Sequence, residues 1–317
     1  MQAATAPRAL GIGPLLGRSW ASYRARFGLY LGATAVAQLP TGLLTWLAGY
    51  GASVSLDAVL AATLPEVHAP GEAVAALLGV GADRAIGFWL LLIAATLLQV
   101  VGTVLSAGAL AYLLNGEQAA AGRRPAAGAG AIAGAYRAVL ERLGPLFGAI
   151  LLAGVIICAV LLAVCAIWVV LFAAQYMLAP AGEAPPSWLT ALLSLALVGL
   201  VSGALLYAVY AFVRWALFIQ AVVLEDAGAA NALRRSAALL RGRWWQTALL
   251  LTVLAVAQGV LGGAASRLVA ALLGGQADAA TTLLLSGLGL LAANLLFFPL
   301  AANALTLLYL GLRAREA

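Results

Sequence analysis

Charge is scarce in this sequence. Asp, Glu, Lys and Arg together make up 9% of 317 residues, and lysine is absent, so all seventeen basic residues are arginine. A soluble domain carries roughly 25% charged and 45–50% apolar residues. Against a hydrophobic fraction of 65%, the shortage excludes a water-soluble fold, because no such fold hides that much apolar surface. Histidine is nearly absent too. His68, between Pro65 and Pro70 and close to Glu66 and Glu72, is the only one. No Ser/His/Asp or Cys/His set is recognised around it, and two carboxylates with one imidazole inside seven residues make a weak case for a metal centre, which needs three or four ligands in a defined geometry. The two cysteines, Cys158 and Cys165, lie seven apart in an apolar run. On one helix their Cα atoms are about 10.5 Å apart, too far for a disulfide. The N-terminal stretch Ala3–Ser19 is interrupted by Pro7, Gly11, Gly13 and Pro14, so it is not read as a signal peptide. No cofactor-binding motif is found.

Long apolar runs are what the chain has in abundance. Six of them, Phe27–Ala48, Ile86–Leu114, Leu146–Leu178, Trp188–Val213, Trp244–Leu273 and Thr282–Leu312, reach the roughly 20 residues that cross ~30 Å of hydrocarbon as a helix. Pro40 and Pro299 lie deep in their runs and are expected to kink them. Arginine alternates between the two ends of these runs. Arg8, Arg18, Arg24 and Arg26 precede the first, and Arg123, Arg124, Arg137 and Arg142 lie between the second and third. Arg214, Arg234, Arg235, Arg241 and Arg243 lie between the fourth and fifth, and Arg313 and Arg315 follow the sixth. Only Arg84 and Arg267 fall on the other side, with six acidic residues. The positive-inside rule makes the arginine-rich side cytoplasmic. The expectation is a multi-pass protein of a bacterial cytoplasmic (inner) membrane with both termini in the cytoplasm. The basic surplus is explained by topology, so no nucleic-acid partner is expected.

A basic amphipathic stretch precedes each odd-numbered run: Leu16, Trp20, Tyr23 and Phe27; then Ile132, Tyr136, Val139, Leu140 and Leu143; then Ala230, Leu233, Ala237 and Leu240. Such helices lie in the headgroup plane with the apolar stripe down. The fold expected is all-α: a polytopic membrane helical bundle with six transmembrane helices in three hairpins and cytoplasmic amphipathic helices. It forms one integral membrane domain over 1–317, with three parallel repeats at 15–118, 131–226 and 227–315. In the long first outer loop, Leu56–Leu64 and Glu72–Leu78 read as short helices on the outer surface or capping the bundle.

The segment before the fifth run is the most distinctive. It contains Val222-Val223-Leu224-Glu225-Asp226, then Asn231-Ala232-Leu233-Arg234-Arg235-Ser236, then Leu240-Arg241-Gly242-Arg243-Trp244-Trp245. Asp226 is expected to cap a helix start, and Gly242 to end that helix in the left-handed conformation. Together with Ser19-Trp20-Ala21-Ser22-Tyr23-Arg24-Ala25-Arg26-Phe27 and Thr306-Leu307-Leu308-Tyr309-Leu310-Gly311-Leu312-Arg313-Ala314-Arg315, this block resembles the membrane domain of bacterial glycerophosphodiester phosphodiesterases. It also resembles related six-span bacterial membrane proteins of unassigned function. Fused members of that family carry a catalytic barrel after the membrane domain, and no barrel sequence is present here. The resemblance therefore implies a membrane module rather than the enzymatic activity.

Amides at mid-membrane depth are the candidate functional residues, since unpaired ones cost several kcal/mol in hydrocarbon. Gln38, Gln99 and Asn294 are expected to line a polar cavity, with Thr103, Gln175, Gln258 and Asn303 as further candidates. No carboxylate lies at that depth, which argues against a proton relay. Arg234, Arg235, Arg241 and Arg243 are the expected contacts to anionic headgroups, each worth about 1 kcal/mol near such a surface. The functional expectation is a non-enzymatic scaffold or accessory module in membrane or envelope lipid homeostasis, partnered by membrane lipids and by another protein or a second copy of itself. The alternative is a channel or transporter for a small solute or lipid through the polar cavity; an enzyme acting on lipid headgroups ranks last, because no acid–base residues can be named for it.

Overall fold

The computed structural model describes residues 11–63, 82–119, 128–178, 186–272 and 279–316. Among them lie ten helices and no strand. They are α1 (Ile12–Ala25), α2 (Phe27–Thr63), α3 (Ala82–Ala119), α4 (Ala129–Leu140), α5 (Leu143–Leu178), α6 (Ser187–Arg214), α7 (Phe218–Glu225), α8 (Ala229–Leu239), α9 (Trp244–Leu272) and α10 (Ala279–Arg313). Six of them, α2, α3, α5, α6, α9 and α10, are long and apolar enough to cross a membrane. The fold is an all-α membrane-type helical bundle, and helices suit it because each satisfies its backbone groups internally where water is absent.

A helix end and a helix cap depart from the sequence reading. The first span was expected to end at Ala48, with a separate surface helix at Leu56–Leu64. Instead α2 runs unbroken to Thr63. No proline interrupts 49–63, so continuing the helix keeps every backbone group paired. Leu64, His68 and the expected helix Glu72–Leu78 lie outside the described residues. Second, Asp226 does not start α8. It closes α7 in the left-handed region (φ 55°, ψ 34°), and Gly228 stands at the start of α8 without a side-chain cap. Aspartate is one of the few residues that tolerate this conformation, and here its carboxylate is turned to Arg142, 2.8 Å away. Gly242 takes φ 78° in the turn from α8 to α9, as expected.

The chain divides into two compact units, one formed by 1–141 with 250–317 and the other by 142–249. In the first, α2 packs antiparallel on α3, α4 on α3, and α1 on α10. Antiparallel pairing of α9 with α10 is marked by Gln258 to Asn294 and by Ser266 to the Ser286 carbonyl. In the second unit α5 pairs with α6, and α7 and α8 fold against the start of α5.

The three short amphipathic helices are docked on spans, with their buried faces turned slightly from the expected stripes. α1 buries Leu15, Ser19 and Tyr23, whereas Trp20 is exposed; α8 buries Ala232, Leu233, Ser236 and Leu239, whereas Ala230 is exposed. Hydrogen bonding explains the shift in α1. Ser19 donates to the Leu300 carbonyl (2.8 Å) and Tyr23 to that of Leu296 (2.8 Å). These two carbonyls flank Pro299, and α10 continues through that proline with donors from a neighbouring helix beside the break.

Small residues let α2 and α3 approach. A Cβ on Gly102 would collide with the Thr41 side chain and come within 3.1 Å of the Ala37 carbonyl. Gly102→Val should therefore lower stability by about 1–3 kcal/mol, the usual cost of overpacking. Gly154→Val on α5, where no atom lies within 4 Å, should be close to neutral. Thermal unfolding of the two variants in the same detergent checks the contrast; equal losses would contradict close approach at Gly102.

Candidate functional site

Two polar assemblies stand out, one in each unit. In the first, the sequence-predicted amides do come together. Gln38, on α2, is fully buried, and its Oε1 accepts from Gln99 Nε2 on α3 (3.3 Å) and from Asn294 Nδ2 on α10 (3.2 Å). Asn294 Oδ1 accepts in turn from Gln258 Nε2 on α9 (2.7 Å). One glutamine is thus the hub of a four-helix hydrogen-bonded cluster. Gln38 Nε2 and Gln99 Oε1 have no partner among the described residues, so a single donor and a single acceptor remain unspent. The threonines nearby are satisfied by their own helices: Thr41 donates to the Ala37 carbonyl (2.8 Å) and Thr103 to that of Gln99 (2.8 Å). Of the further candidates, Asn303 is fully buried with neither amide atom paired among the described residues, and Gln175 accepts from Thr190 across α5 and α6 (3.4 Å).

At the arginine-rich end of this unit, Glu117 in the last turn of α3 gathers three partners. Arg26 lies 3.1 Å from it, Tyr30 donates to it at 2.9 Å, and Ser22 reaches it at 3.5 Å. This ties α1, the α1–α2 turn, α2 and α3 together. Tyr136 of α4 donates to the Ala33 carbonyl (2.5 Å). Burial pushes the Tyr136 and Tyr23 phenols above their ordinary range, which keeps both as donors.

The second assembly gathers around α7 and α8 at the end of α6. Ser236, fully buried, donates to the Arg214 carbonyl (2.9 Å) and accepts from the Leu217 amide (3.1 Å). Glu225 accepts two bonds from Arg235 (2.9 and 3.3 Å), and Asp226 takes Arg142. Three of the four arginines singled out for lipid contact, Arg234, Arg241 and Arg243, make no ion pair among the described residues; Arg235 is spent on Glu225. Beside them is a cleft of about 170 Å³ lined by Tyr210, Arg214, Ala237, Leu240, Arg241, Gly242 and Trp244. Its aromatic wall is fixed: Tyr210 and Trp244 stack at 5.8 Å between centroids, the Trp244 indole donates to the Tyr210 carbonyl (3.3 Å), and Trp245 meets Trp244 edge-on. Arg214 lies 5.9 Å from the Tyr210 ring centre, within cation–π range. Sequence reasoning placed Arg214 in the topology count but missed it as a site residue. The signal was there: Arg214 ends a span one turn after Tyr210, at the spacing that stacks two side chains on one helix face.

These features define a multi-pass α-helical membrane protein with an internal amide cluster and an arginine–tryptophan face. The chain belongs to a family described only as a domain of unknown function, DUF7847, whose model matches residues 133–312, more than half of the sequence. That match takes in the whole second unit and its cleft. No curated protein and no solved structure matches the chain.

Proposed function

We propose that this chain is a non-enzymatic, multi-pass protein of a bacterial cytoplasmic membrane. In this reading both termini are cytoplasmic, and the protein serves as a scaffold or accessory module in membrane or envelope lipid homeostasis by engaging anionic headgroups. The observation that carries the reading is the division of labour among arginines around α8. Acidic neighbours hold Arg142 and Arg235, while Arg214, Arg234, Arg241 and Arg243 have no ion pair among the described residues, and Arg214 and Arg241 share a cleft with Trp244. Unpaired arginines next to tryptophan suit the level of lipid headgroups. The resemblance to the membrane domain of glycerophosphodiester phosphodiesterases fits the same reading, as does a protein partner or a second copy bound through the apolar spans. A channel or transporter is the weaker alternative, because Gln38, Gln99 and Asn294 bond to one another.

Phosphatidylglycerol added to the purified full-length chain should raise its melting temperature more than phosphatidylcholine does. Replacing Arg234, Arg241 and Arg243 with Gln should remove most of that difference, each arginine contributing about 1 kcal/mol. Equal stabilisation of the unaltered protein by the two lipids would overturn the proposal.

A further inference from the structure

The cleft formed by the end of α6, α8 and the turn into α9 has a built shape and two arginines without an acidic partner among the described residues. Arg214 stands on one side, in the last turn of α6, and Arg241 on the other, in the turn before α9. Neither has an acidic partner among the described residues. The carboxylates of Glu225 and Asp226 are bound to Arg235 and Arg142, and the contact of Arg214 with the Tyr210 ring leaves its N–H groups able to donate to an anion. Leu240, almost fully buried, lines the cleft with Ala237, and the rings of Tyr210 and Trp244 complete the lining. The indole N–H of Trp244 is committed to the Tyr210 carbonyl, so the charged recognition groups of the cleft are the two arginines. α9 begins at Trp244 and adds the partial positive charge of a helix start. The volume, about 170 Å³, far exceeds the roughly 10–15 Å³ that one water needs.

We propose that this cleft seats a single phosphate group, carried by a phospholipid whose chains lie along the spans. Planar guanidinium forks match the non-bridging oxygens of a phosphate, and a phosphodiester held between the two can accept from both. Tryptophan at the rim sets the site at headgroup depth, which favours a lipid over a soluble phosphate ester. The backbone supports this placement. The positive φ of Gly242 allows the tight turn between α8 and α9, and Ser236 fixes the Arg214 carbonyl. The inference rests on the headgroup reading above and adds to it one saturable site with named residues.

Native mass spectrometry of the full-length protein, released from micelles containing phosphatidylglycerol or the phosphate-free diacylglycerol, tests it. One phosphatidylglycerol should be retained saturably, and diacylglycerol should not. Arg214→Gln combined with Arg241→Gln should weaken retention by about tenfold or more, the scale of losing charge-assisted bonds. Ala237→Trp, which fills the cleft and leaves both arginines in place, should weaken it similarly with the helical circular dichroism unchanged. Undiminished retention in both variants would overturn the seat. A surviving preference for phosphatidylglycerol over phosphatidylcholine in melting temperature would then leave the broader reading standing. Loss of the bound lipid to inorganic phosphate at a concentration matching the lipid would reassign the cleft to a soluble phosphate and sink the lipid assignment.

Discussion

Gln38→Leu should destabilise the first unit by about 1–3 kcal/mol. The substitution removes one acceptor and strands two donors, Gln99 Nε2 and Asn294 Nδ2, which now bond to Gln38 Oε1 at 3.3 and 3.2 Å. Hydrogen bonds between membrane helices are worth about 0.6–1.7 kcal/mol each, and two are lost together. The Gln38 Nε2 that lacks a partner disappears as well, which offsets part of the cost. Leucine is close in size and adds no cavity to the account. A double-mutant cycle separates this from generic packing. With Asn294→Leu added, the two losses should fall short of their sum, because both remove the same bond. Asn294→Leu alone also strands Gln258, whose Nε2 donates to Asn294 at 2.7 Å. Reversible unfolding in mixed micelles measures all three variants. Strict additivity, or a loss below a few tenths of a kcal/mol, would show that Gln38 is not the hub.

The oily helices were legible in the sequence because lipid imposes a length and a composition. Five expected spans agree with α3, α5, α6, α9 and α10 to within a few residues at either end. The sixth, α2, starts where expected and runs on, because hydropathy marks where apolar character stops and not where helical backbone stops. The amide cluster was legible as a set of residues, since any amide at that depth needs a partner. The sharing was not legible: two donors converge on one oxygen of Gln38, and Gln258 joins through Asn294. Which helix faces which is a tertiary fact that periodicity does not encode. The same limit explains Ser19 and Ser236. Each is a small polar residue on an amphipathic helix, off the expected apolar stripe, and each proves fully buried because its hydroxyl bonds a backbone group of a distant segment. Patterning by hydrophobicity assigns such a residue to the wrong face. Arg235 shows the converse. It sits beside Arg234 in sequence, but one turns to Glu225 while the other has no ion pair among the described residues, a distinction that follows from the 100° between successive residues on a helix.

Ser236 links stability to the proposed seat, and its replacement gives the second large effect. Ser236→Ala removes the acceptor of the Leu217 amide and the donor to the Arg214 carbonyl, both at a fully buried position. A buried amide left without a partner costs about 1–3 kcal/mol. The deficit falls on the turn from α6 into α7, because the first helical turn of α7 has lost its external anchor. Global unfolding is a poor reporter of such a local change, and amide exchange is a direct one. Peptides covering 214–225 should exchange about fivefold to 150-fold faster in the variant, the factor that 1–3 kcal/mol of lost local stability produces. Peptides from α2 and α3 should be unchanged. Arg214 projects from the segment that loosens, so a bound phosphatidylglycerol should be held more weakly in the variant, and the unaltered protein should gain protection at 214–225 when that lipid is added. Unchanged exchange at 214–225 in Ser236→Ala would mean that the two hydroxyl bonds do not hold this turn. The cleft would then owe its shape to the Tyr210–Trp244 stack and to Gly242 alone.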